Sequence, residues 1–164
     1  MFIETPAVPQ SEITRLVRER DAAQATIDRL TRENVGHGSI VVAGARLISA
    51  IDGIRSSFAT DPANLARRIQ TVFNGIRAAQ GAVDGYNNAI AGTPHPGFTF
   101  PVPDILTAEI AYDRALAAAR LQVTTAVNAE QLAIATNQAT ITSQRIIVTA
   151  RQELIDRYRS DPTP

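Results

Sequence analysis

Residues 105–161, ILTAEIAYDRALAAARLQVTTAVNAEQLAIATNQATITSQRIIVTARQELIDRYRSD, contain neither glycine nor proline. Nothing in this stretch breaks a helix, and most of its residues are good or tolerable helix formers. At ~1.5 Å per residue a continuous helix here is about 85 Å long. A compact globule of this chain length is only about 40 Å across. The stretch therefore predicts an all-α protein: an elongated antiparallel helical bundle or coiled coil with one long C-terminal helix and an extended N-terminal arm.

Within that helix Val127, Ile134, Ile141, Val148 and Ile155 recur every seven residues. β-branched residues at this spacing suit a coiled-coil seam. The seam position beside them reads as polar, with Gln131, Gln138, Arg145 and Gln152. A second strip (Leu132, Ala139, Ile146, Ala150, Leu154) lies elsewhere on the helix and predicts contact on more than one side.

Upstream, residues 1–10 carry Pro6 and Pro9 and read as the arm, with Ser11 as a helix cap. Ile13, Leu16, Arg20, Ala23, Ile27 and Leu30 give a first helix over 11–34, which Gly36-His37-Gly38 is expected to end. A second helix over 40–58 follows from Ile40, Gly44, Leu47, Ile51, Ile54 and Phe58. Asp61-Pro62 starts a third over 62–91, marked by Leu65, Ile69, Val72, Ile76, Ala79, Val83, Tyr86 and Ile90 and closed by Gly92. Gly75, Gly81 and Gly85 in it predict close approach of a neighbouring helix. Residues 93–104 carry four prolines and form an extended loop in which Phe98, Phe100 and Val102 alternate. Asp104 caps the long helix over 105–160, residues 11–161 form a single helical domain, and 162–164 are a tail.

Composition narrows the function. The chain has 164 residues, is 45% hydrophobic and 20% charged, and carries formal net charge zero. It lacks the basic excess of a nucleic-acid binder. All sixteen basic residues are Arg, which fits GC-rich coding in a bacterium or its viruses. Without Cys there is no thiolate chemistry, and without Lys no Schiff base. The only histidines, His37 and His95, fall in expected loops and read as solvent-exposed. Carboxylates such as Glu130 read as helix surface. No phosphate loop, Gly-x-Ser-x-Gly or Glu-x-x-His occurs. Neither a secretory signal nor a membrane-spanning segment is expected.

These readings predict a non-enzymatic structural or assembly subunit without catalytic, cofactor or metal residues. Its expected partners are further copies of itself or other structural proteins, with no nucleic acid, membrane or small-molecule substrate. A bacteriophage virion component (neck, tail, baseplate or capsid-associated) is the leading expectation, in the virion or the bacterial cytoplasm. The alternative is a bacterial helical-hairpin module that pairs with a different helical protein. Helix lengths leave the distal part of the long helix uncovered, so Ile134, Ile141, Val148 and Ile155 are expected to form the protein interface. Phe98, Phe100 and Val102 are expected either to cap the bundle or to join that interface.

Overall fold

The computed structural model describes residues 9–60, 65–104 and 109–160. They are helical apart from short turns and the proline-bound loop, and no strand occurs among them. Four helices follow in order: α1 (Gln10–Thr60), α2 (Leu65–Ala78), α3 (Gln80–Ile90) and α4 (Glu109–Ser160). The all-α fold with a long C-terminal helix is as the sequence predicts. Residues 1–8 of the expected arm (1–10), the Asp61-Pro62 start, the first residues of the last helix (105–108) and the tail lie outside the described residues, and Gln10 at the end of that arm already belongs to α1.

Two corrections concern helix boundaries. The break expected at Gly36-His37-Gly38 does not occur, because α1 runs unbroken from Gln10 to Thr60. Two mid-helix glycines cost about 1 kcal/mol each relative to Ala. Burial of Ile27 and Leu30 before them, and of Ile40 and Leu47 after them, outweighs that cost. The expected third helix is interrupted once, at Ala79, where φ −84° and ψ −3° separate α2 from α3. Helix-like hydrogen bonds still run from Ala79 N–H to Gly75 O (2.9 Å) and from Val83 N–H to Ala79 O (3.0 Å), so the interruption is local. Gly92, with φ +79°, ends α3 in the left-handed conformation that glycine adopts without steric penalty.

The chain divides into two compact units: residues 1–35 with 134–164, and residues 36–133. α1 and α4 each contribute one part to each unit. In the first unit these parts lie antiparallel, since Glu19 pairs with Arg151 (2.6 Å) and Asn34 meets Asn137 (3.0 Å). Ile27, Leu30 and Ile141 form its core cluster, with Val148 packed against it. Ile155 and Leu16 are fully buried as well.

This overturns the expected uncovered seam. Ile141 is 2% and Ile155 0% exposed, and Ile134 and Val148 are half-buried. The expectation failed because it ended the first helix at residue 34 and folded the next one back. The paired position of the seam is also not the one first read. Residues three places after each heptad residue, not four, face α1: Glu130, Asn137 and Arg151 all bond to it, whereas Gln131, Gln138 and Arg145 are exposed. Gln152 is the exception, accepting a hydrogen bond from Arg20 (2.7 Å).

The second unit has a larger core, built from all four helices and the loop. Two glycines admit close helix contact there. A Cβ on Gly44 would overlap Val127 Cγ2, and one on Gly75 would lie 2.9 Å from Ile54 Cγ1. Gly81 and Gly85 have open space and serve no such approach. Within Gln10–Ser57, one 18-residue window of α1 is long and apolar enough to cross a membrane by length and composition. The same helix sends Ile40, Leu47, Ile51 and Ile54 into the core.

Candidate functional site

The loop after α3 is bound down along its length. The Asn87 side-chain amide donates to Phe98 O (3.0 Å), and Phe98 N–H donates back to Asn87 Oδ1 (2.8 Å). Gln122 donates to the Pro96 and Gly97 carbonyls, and the Tyr112 hydroxyl donates to Pro101 O (2.8 Å). Phe98 and Phe100 meet edge-to-face, 5.0 Å between centroids, and both are buried in the core. Of the three residues expected either to cap the bundle or to join an interface, Phe98 and Phe100 are core and Val102 is exposed.

This anchoring delivers His95 to Glu130. Glu130 is 7% exposed and is the buried charged residue among those described. His95 bonds one carboxylate oxygen through Nε2 (2.7 Å), and His37 bonds the other through Nδ1. A carboxylate only accepts hydrogen bonds, so each imidazole presents an N–H at that contact. Burial raises the Glu130 pKa, but the two imidazole hydrogen bonds and the charges behind them outweigh it and hold the carboxyl below its ordinary range. Beside it, burial and then the Glu130 charge raise the pKa of Tyr86, whose buried hydroxyl has no hydrogen-bond partner among the described residues.

The reading of both histidines as exposed loop residues is therefore corrected. His37 lies on a helix, and both side chains are mostly covered. Glu130 is likewise core, not surface. The signal that finds it is the heptad seam: Val127 plus three is Glu130, which turns toward α1 with Val127. Chemically the cluster is a clasp that joins α1, the loop and α4. Both Glu130 oxygens are taken by imidazole N–H groups. No group of three or more His, Cys, Asp or Glu among the described residues could hold a metal.

The outward side of α4 has a different character. Ile110, Leu121 and Leu132 are 69%, 65% and 69% exposed. Eleven residues make three helical turns plus about 20°, so the three form one nearly straight stripe about 33 Å long. Tyr112, Val123 and Glu130, all buried, lie about 160–180° around the helix from Leu121. The stripe is thus opposite the core. It corresponds to the second apolar side expected for this helix, and Leu132, Ala139, Ile146 and Ala150 of the expected strip fall on the same line by helical spacing. Ile146 is also exposed, within the first unit. Compared with protein-family models, curated proteins and solved structures, the chain matches none.

Proposed function

We propose that the chain is a non-enzymatic structural subunit that works in an oligomeric assembly and binds its neighbour through the outer side of α4. The observation that supports this is the Ile110–Leu121–Leu132 stripe. Three large aliphatic side chains left two-thirds exposed in line, opposite a well-filled core, support reading this side of α4 as an association surface. The polar cluster supports the same reading: Glu130, His37 and His95 satisfy one another and fasten the fold instead of opening onto a substrate. The interface expected at Ile141 and Ile155 is replaced by this stripe, since those side chains are core.

The test is sedimentation of the native chain from its own cells. The wild-type chain should travel in a complex well above its own mass, and Leu121→Asp with Leu132→Asp should release it without loss of helicity by circular dichroism. A wild-type chain that sediments at its own mass overturns the proposal. The virion setting is part of the proposal and rests on the small size, the proline-bound segments and the Arg-only basic set. It has a separate test in the flanking genes, where portal, sheath or tape-measure proteins are expected.

A further inference from the structure

We infer that the clasp holds a buried water molecule, which accepts a hydrogen bond from the Tyr86 hydroxyl and donates one to the Glu130 carboxylate. The phenol is the reason. Tyr86 is 0% exposed, and its hydroxyl is shut off from solvent without a hydrogen-bond partner among the described residues. Burying a hydroxyl without a partner opposes folding, and native interiors seldom leave one in that condition. A buried water is the usual remedy for such a group.

Three helices place the hydroxyl beside the carboxylate. α3 carries the Tyr86 ring to the contact of α1 with α4. A Cβ on Gly44 would overlap Val127 and would lie 3.8 Å from Tyr86 Cε2, the ring carbon next to the one that bears the hydroxyl. The polar edge of the ring therefore lies where Gly44 meets Val127. Glu130 follows Val127 by about one turn of α4, and His37 precedes Gly44 by about two turns of α1, each on the same side as that neighbour. His37 and Glu130 are themselves bonded, so this edge of the clasp adjoins the phenol. The electrostatics agree, since after burial itself it is the Glu130 charge that acts on Tyr86.

The chemistry selects the occupant. It must accept from a phenol O–H and donate to a carboxylate. Each Glu130 oxygen accepts one imidazole N–H and has a further lone pair for a second donor. An anion is repelled by Glu130, and an ammonium group has no acceptor to offer the hydroxyl. Water does both, with two of the roughly two to four bonds that a buried water makes. Its way in lies past the imidazoles, since the His37 and His95 side chains are 29% and 17% exposed.

The test is a high-resolution crystal structure of the full chain, paired with the same structure and chemical denaturation of Tyr86→Phe. The wild-type crystal should show one ordered water within about 3.2 Å of both Tyr86 Oη and a Glu130 oxygen. In Tyr86→Phe that water should be lost or weakly occupied, while His37 and His95 stay on Glu130. The variant, which removes one oxygen atom, should lower the folding equilibrium constant about tenfold. A wild-type hydroxyl with no water beside it, or one bonded directly to a protein atom instead, overturns the inference. So does a water that keeps full occupancy in Tyr86→Phe, because the phenol is then not what holds it. A variant as stable as the wild type, or more stable, also overturns it, because deleting an unmatched buried hydroxyl is neutral or favourable.

Discussion

The two units use the same two helices and the same seven-residue rhythm, yet they are held together differently. The unit of residues 1–35 and 134–164 has a core cluster of three residues, Ile27, Leu30 and Ile141. Its register is set by polar ties: Glu19–Arg151, Arg20–Gln152 and Asn34–Asn137. The unit of residues 36–133 has a cluster of sixteen, because α2, α3 and the loop give the seam further surfaces to bury against. Only there is the surrounding apolar shell thick enough to enclose a carboxylate, and only there are two imidazoles supplied to satisfy it. The difference shows that a heptad repeat specifies which side of a helix turns inward. How firmly that side is held depends on what else the chain brings to it.

The largest expected effects break this comparison directly. Leu116→Ala, in the larger core, should cost about 2–5 kcal/mol and lower the main thermal transition. Ile155→Ala removes a fully buried side chain of the same size class. Its effect should appear as lost amide-exchange protection in residues 10–35 and 134–160, with residues 40–54 left protected. Equal loss in both sets would make the units one cooperative body.

Next in size is Gly44→Ala, expected to cost about 1–3 kcal/mol in chemical denaturation, because the new methyl overlaps a Val127 side chain that is stiff at χ1. Of similar size is Glu130→Gln, about 1–3 kcal/mol at neutral pH, since an amide cannot accept from both imidazoles as the carboxylate does. The variant also carries a pH signature. The Glu130 carboxyl is held below its ordinary value of 4.5 in the folded state. Its contribution is therefore complete above that pH and is lost as pH falls through the lower folded value. Glu12, Glu19 and Asp113 are shifted the same way, so the difference between wild type and variant isolates Glu130. That difference should shrink as pH falls below the ordinary carboxyl value.

The smallest effects sharpen the comparison at residues 36–38. Gly36 and Gly38 are helical, have ordinary negative φ, and have open space where a Cβ would go. Each change to Ala should stabilise by about 1 kcal/mol, seen as a higher denaturation midpoint. A loss would mean that this part of α1 must bend.

The sequence made some of this legible and hid the rest for identifiable reasons. Val127, Ile141 and Ile155 were readable as one seam because periodicity is local information, but that Ile141 and Ile155 are covered within the chain was not, because it depends on α1 running on past residue 34; Gly92 was readable as a stop, and it takes the left-handed conformation. Gly36-His37-Gly38 was misread because local propensity favours a break, while the partner that holds His37 in place is Glu130, distant in sequence. The same distance hid the clasp: nothing near His95 announces that Asn87, Gln122 and Tyr112 tie its loop down beside α4. The outer stripe could be read as a second apolar side, but its line emerged only once exposure separated Ile110, Leu121 and Leu132 from buried Leu116.

The division of the chain also has a consequence for biosynthesis. Residues 36–133 are contiguous, so their core can close as soon as that segment has left the ribosome. Residues 10–35 are translated before that segment but meet Ile141 and Ile155 only after more than a hundred further residues have been added. During that interval Leu16, Ile27 and Leu30 are without their final neighbours, and closing so distant a contact is intrinsically slow. Of the two units, the one whose halves flank the other in sequence is thus the later to mature, and its upstream half is the stretch on which a chaperone would act during synthesis.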